Sequence, residues 1–151
     1  MVSRFHLAIP AGDLTAALAF YCDLLGCRKG NSEENGADSW VDIDFWGHEL
    51  TLHASDPDER LAGRRHDVDM GNVSVPHFGV HLDADVFAAL KQRLTDREVA
   101  FVDKPYKRFA GTGLEQETFF VADPNGNVLE IKTMKHPTRL FADAGAAHAG
   151  V

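Results

Sequence analysis

The sequence predicts an α+β fold of two βαβββ modules, forming a curled mixed sheet around a cavity. Three observations carry this. The order strand, turn, helix, strands occurs twice along the 151 residues, the two copies can be laid over each other, and each copy ends in a similar hairpin. A duplicated supersecondary unit of this order makes a two-module α+β fold, not a doubly wound one.

The elements follow in order. In "FHLAIPAGDLTAALAFYCDLLGCRKG", Phe5 to Ile9 reads as a short apolar strand ending at Pro10. Asp13 or Thr15 can cap the helix that follows, whose Leu14, Leu18, Tyr21 and Leu25 recur at helical spacing, with Gly26 as its stop. "SWVDIDFWG" and "HELTLHA" are strands. In the first, Trp40, Asp42 and Asp44 alternate with Val41, Ile43 and Phe45. If the apolar set packs on the helices, Asp42 and Asp44 face the cavity. "SDPDERLAGRRHDVDMGNVS" is polar and turn-rich and reads as a linker or surface loop.

The second copy opens with "VPHFGVHLD", residues 75–83. Phe78, Val80 and Leu82 share one strand face, and His77, Gly79 and His81 share the other. The helix "VFAALKQRLTDREV" sets Val86, Leu90 and Leu94 on one side, and "VAFVDKPY", "ETFFVAD" and "NVLEIKT" are strands. The tail after Lys135 is rich in small residues and is expected to fray. The expected organisation is one domain over 1–151: module 1 at about 4–55, linker at about 56–74, module 2 at about 75–135 and tail at 136–151.

Laying the copies over each other puts His6 on His77 at the strand starts. At the closing hairpins, Gly47 on Gly126 puts Thr51 on Glu130. The extra length of the second copy fits the loop around "KPYKRFAGTGLEQ".

Composition narrows the function class. The net charge of −8 argues against nucleic acid or an anionic membrane as the main partner, and no run approaches a transmembrane span. "MVSRFHLAIPAGD" lacks the features of a signal peptide. Cys22 and Cys27 lie in one predicted helix with diverging side chains, so no disulfide is expected between them and a reducing cytoplasm is the expected compartment. The expected partner is a small molecule.

The phrases "FHLAIPAGDLTAALAFYCDLLGC", "VPHFGVHL" and "FFVADPNGNVLEIK" resemble the vicinal oxygen chelate superfamily, the glyoxalase, bleomycin-resistance and extradiol-dioxygenase fold. The likeness runs over roughly residues 4 to 135 and is strongest to small single-domain extradiol-type dioxygenases. It implies a metal-binding cavity with His6, His77 and Glu130 as ligands and Thr51 at the fourth position. Two imidazoles and a carboxylate suit Fe(II) best, with Zn(II), Mn(II) or Ni(II) as alternatives. It implies a dioxygenase-like oxidoreductase acting on a small oxygen-bearing substrate, and a homodimer. The alternatives are a metal-dependent lyase, isomerase or transferase of glyoxalase type, or a metal-free antibiotic-binding protein.

The chain also departs from the pattern. Thr51 is a poor ligand, which argues against the four-ligand glyoxalase I site. Where ring-cleaving relatives carry a Tyr ahead of the carboxylate ligand, this chain has Phe120, and "FAGTGLEQET" upstream holds no His. His53, on the Thr51 face, and His81, on the His77 face, are the replacement acid/base candidates. The loop "PYKRFAGTGLEQE" is the expected specificity element, with Tyr106 and an Arg108 whose planar fork suits an oxyanion. Gln116 shares strand parity with Phe120. Asp42, Asp44, Tyr106, Arg108, Gln116 and Phe120 form the expected substrate-binding set.

Overall fold

The computed structural model describes residues 2–60, 63–68 and 71–142. It forms two compact units, one of Met1–Gly63 with Ala122–Val128, the other of Arg64–Val121 with Leu129–Val151.

The first unit carries a four-stranded sheet of β1 (His6–Gly12), β2 (Arg28–Glu33), β3 (Trp40–Phe45) and β4 (His48–Ala54), in the order β1-β4-β3-β2. β1 runs parallel to β4, and the other pairs are antiparallel. The expected alternation on β3 holds: Val41, Ile43 and Phe45 are buried, while Trp40, Asp42 and Asp44 are half-exposed. The predicted first helix is two pieces. α1 (Leu14–Leu18) is capped by the Asp13 carboxylate, which accepts from the Ala16 N–H at 2.9 Å. A π-helical turn, Ala19–Leu24, continues it. The wider turn buries two consecutive rings, Phe20 and Tyr21, which meet edge-on at 4.9 Å. The cysteines are free, as expected.

The turn of residues 122–128 belongs to this unit and explains the "DPNGN" phrase. Asp123 Oδ1 accepts the Asn125 and Asn127 N–H groups, both at 2.9 Å. Its Oδ2 accepts the buried Tyr21 hydroxyl and the Asn127 amide, both at 2.8 Å. The Asn125 and Asn127 side chains donate to the Pro10 carbonyl. Gly126 supplies the left-handed backbone, φ +86°, on which the turn closes.

The second unit carries a sheet with the same plan: β7 (Phe78–His81), β8 (Asp103–Arg108), β9 (Gln116–Ala122) and β10 (Val128–Met134), in the order β7-β10-β9-β8 with β7 parallel to β10. α2 (Ala84–Asp96) buries Phe87, Leu90 and Leu94. Val86, expected on that side, is exposed, and Phe87 takes its place. Phe87 meets Phe119 of β9 at 5.3 Å between ring centres, so α2 covers the sheet face that bears Phe119. Within the segment read as a linker, β5 (Arg64–Val68) and β6 (Gly71–Val75) form a hairpin. Polar composition disguised it: among its strand residues only Val73 is buried, which leaves no apolar period. Residues 143–151, the end of the tail expected to fray, lie outside the described residues.

Candidate functional site

The face of the second sheet opposite Phe119 carries the chemistry. Leu129 and Ile131 of β10 are fully buried, and the residue between them, Glu130, points the other way. A row runs across that face. Tyr106 of β8 pairs in register with Thr118 of β9, Thr118 donates its hydroxyl to Glu130 Oε1 at 2.9 Å, and Glu130 pairs in register with Gly79 of β7. Gly79 is required there, because a Cβ would stand 1.6 Å from the Glu130 carbonyl oxygen.

His77, just before β7, completes the centre. Its Nδ1–H donates to the Ser74 carbonyl at 2.6 Å, and its Nε2 stands 3.1 Å from Glu130 Oε2. The side chains are 24% and 8% exposed, so the pair is largely withdrawn from water. Phe120, fully buried, meets the His77 ring edge-on at 5.2 Å. It therefore braces the imidazole rather than offering a surface to a substrate. The Glu130 hydrogen bond raises the His77 pKa above the ordinary histidine range, against partial burial. Burial pushes Glu130 up, but His77, the Lys132 ammonium and Thr118 together hold it down to about 2.

The donor set fits a divalent cation at these two residues. An imidazole and a carboxylate oxygen lie side by side, and the outer atom of each is tied, Nδ1 by a backbone carbonyl and Oε1 by a hydroxyl. That is how outer partners orient metal ligands. Among the described residues no group of three or more His, Cys, Asp or Glu side chains is placed to hold a metal.

The other expected residues are placed as follows. His6, in the first unit, is exposed, and its Nδ1 meets Glu49 Oε1. Thr51 donates to Asp42 at 2.7 Å. Asp44 is tied to Arg28 at 2.7 Å and to the Gly47 N–H, and these bonds hold its pKa below the usual carboxylate range. Asp42 and Asp44 line a depression of about 250 Å³ with Arg4, His48 and Glu49. His53 is exposed, in register with Pro10 and Trp40. His81 stands in register with Lys132; partial desolvation first, then the Lys132 charge, lowers its pKa. Burial raises the Tyr106 phenol, which also feels Arg108 and Glu130. Gln116 pairs with Arg108 in register, and its Oε1 is buried with no hydrogen-bond partner.

Sequence reasoning missed Ser74, Glu49 and Lys132. Lys132 was within reach of it: two residues after Glu130 on the same strand, it had to share that face.

The comparisons agree with this architecture. No curated protein matches the chain. Residues 4–131 match the family model described as the Glyoxalase/Bleomycin resistance protein/Dioxygenase superfamily. A glyoxalase/bleomycin resistance protein/dioxygenase from Alicyclobacillus acidocaldarius is 33% identical, over 92% of this chain and 96% of that one, with a TM-score of 0.71. TnmS3, an antibiotic binding protein from Streptomyces sp. CB03234, is 21% identical over 89% and 98%, with a TM-score of 0.56. A superfamily member from Sphaerobacter thermophilus DSM 20745 is also 21% identical, over 88% and 98%, with a TM-score of 0.56. At 21% identity the last two likenesses speak for the fold alone. No helix among the described residues is long and apolar enough to cross a membrane. From the family match and the 33% identical structure, the chain belongs to the glyoxalase/bleomycin resistance protein/dioxygenase superfamily.

Proposed function

We propose that the chain is a metal-dependent enzyme acting on a small oxygen-bearing substrate, with His77 and Glu130 of the second unit as ligands. The observation that carries this is the pairing of His77 Nε2 with Glu130 Oε2, 3.1 Å apart and hydrogen-bonded to each other, with the outer atom of each held by Ser74 or Thr118; a divalent ion would take the place of the proton between them. A divalent ion there would supply Lewis acidity to two adjacent substrate oxygens, and Fe(II) would extend that to dioxygenation. The protein's own residues do the rest. Glu130 stays ionised across the physiological range. Phe120 and Ser74 fix the His77 ring. His81, neutral at physiological pH through its lowered pKa, can take a proton at a ring nitrogen. Tyr106 and Gln116 offer a phenol and an unpartnered amide oxygen to orient the substrate. Arg108 completes the proposed substrate contacts.

A second reading is favoured by one observation, that no three ligand-type side chains gather among the described residues. It makes the chain a metal-free binder of small molecules, as TnmS3 is a binder of antibiotics. Metal titration separates the readings. EDTA-treated protein is titrated anaerobically with Fe(II), and with Zn(II) in air. The enzyme reading expects one equivalent bound, and at least about tenfold weaker binding in His77→Ala. Equal affinity in wild type and His77→Ala would remove His77 from the site. No binding by either protein, with small-molecule binding that ignores EDTA, would favour the binder.

A further inference from the structure

One charged group on the candidate face is not accounted for by the ligand reading. Lys132 follows Glu130 by two residues, so both side chains leave the same face of β10. Its Nζ stands 3.6 Å from Glu130 Oε2, close enough to feel the charge and too far for a hydrogen bond. Thr118 donates to one Glu130 oxygen and His77 serves the other, so the close hydrogen bonds of the carboxylate are made without Lys132. The Lys132 side chain is only 24% exposed, whereas lysines are ordinarily left in water. It stands in register with His81 on the neighbouring strand. One carboxylate thus faces an ammonium and two imidazoles, inside a chain whose net charge is −8. Paired with Glu130 at 3.6 Å and without a close hydrogen bond to it, the ammonium is placed to meet an anion entering beside Glu130.

We infer that Lys132 is the specificity-determining residue of the site, selecting a small carboxylate whose acid group lies next to a second oxygen, over its neutral counterpart. This rests on the site proposed above. The ammonium binds the carboxylate, and the adjacent hydroxyl or carbonyl oxygen is left to the His77–Glu130 centre. Because the same charge opposes a cation at Glu130, its removal acts in opposite directions on the two ligands: anion selectivity falls while metal affinity holds or rises.

Lactate and lactamide test this. They share a carbon skeleton and adjacent oxygens and differ by one charge. Binding of each to the full chain is followed by NMR titration of ¹⁵N-labelled protein, with and without Zn(II), in wild type, Lys132→Met, Lys132→Gln and Lys132→Arg. Wild type is expected to prefer lactate by about tenfold, the worth of one charge-assisted contact. Lys132→Met and Lys132→Gln lose the preference and bind Zn(II) at least as tightly as wild type. Lys132→Arg keeps most of it. The inference is overturned if wild type binds neither probe or shows no preference, if the neutral variants retain the preference, or if Arg fails to restore it. A structural salt bridge would instead give variants that melt lower, bind Zn(II) more weakly and keep the lactate preference. The two readings fail separately. A Lys132-dependent preference in a chain that binds no Zn(II) sinks the metal and keeps the lysine; Zn(II) held through His77 without any preference does the reverse.

Discussion

The two modules use one scheme and finish it differently. In each, a histidine stands at the start of the first strand or just before it, and the residue two further along pairs with a polar side chain on the parallel last strand. Ala8 pairs with Thr51 in the first, and Gly79 with Glu130 in the second. In each, a threonine hydroxyl donates to a carboxylate on the adjacent strand, but the partners are exchanged. Thr51 of β4 donates to Asp42 of β3, whereas Thr118 of β9 donates to Glu130 of β10. The histidines diverge accordingly. His77 finds the buried Glu130, while His6 finds Glu49, with both side chains more than half exposed. An ion pair in water contributes little, and one withdrawn from water contributes through the cost of leaving either partner alone. The same backbone thus holds one pair that matters energetically and one that water can replace.

Breaking the pairs separately should expose that asymmetry most. In EDTA, His77→Ala is expected to destabilise the protein by about 2 kcal/mol. That is less than the roughly 3–5 kcal/mol of a fully isolated buried charge, because Thr118 and Lys132 remain on Glu130. His6→Ala should cost under about 0.5 kcal/mol. At this chain length the two variants should melt about 4–8 °C and under about 2 °C below wild type. Equal shifts in thermal unfolding would mean that burial does not separate the modules.

The threonines sharpen the contrast at a smaller scale. Thr118→Val removes a donor from a carboxylate that water cannot easily reach, and should cost about 1–2 kcal/mol. Thr51→Val leaves Asp42, half-exposed and bordering the depression beside β3, to be hydrated instead, and should cost about half as much. Denaturant unfolding of the two variants checks the ratio. A larger loss for Thr51→Val would reverse the assignment of which module is sealed.

How much of this was legible follows from what a sequence encodes locally. Strand alternation on Trp40–Phe45, the Asp13 cap and the Gly26 stop are short-range patterns, and all appear as read. The repeat gave the register of Thr51 and Glu130 within their modules, and β1·β4 and β7·β10 pair as that overlay requires. What stayed hidden depends on burial or on pairs distant in sequence. Nothing local says that Glu49 would sit opposite His6, or that Phe120 would be sealed behind His77. The β5–β6 hairpin was hidden for the opposite reason, since strands with a single buried side chain, Val73, look like loop. Membership of the Glu130 face was readable by parity, and Lys132 was passed over although parity put it beside Glu130.

The smallest expected effect belongs to the first unit's core and appears only in alkali. Burial pushes the Cys27 thiol up to about 12, and burial together with Asp123 raises the Tyr21 phenol well above its ordinary value. Both groups are neutral when protonated, and both hold their protons more tightly folded than unfolded. The unfolded chain therefore binds fewer protons once pH passes the ordinary thiol pKa of about 8.5, and stability falls as pH rises from there toward the folded value. Between pH 8 and 9.5 Cys27 should cost about 1 kcal/mol, with a smaller share from Cys22, whose thiol is also raised by burial, and Tyr21 joining only above about pH 10. Urea unfolding at a series of pH values, in wild type and Cys27→Ala, reads this out. The variant starts less stable, because a buried side chain has been trimmed, but its slope over that range should be nearly flat. A slope in Cys27→Ala as steep as in wild type would place the alkaline sensitivity outside Cys27.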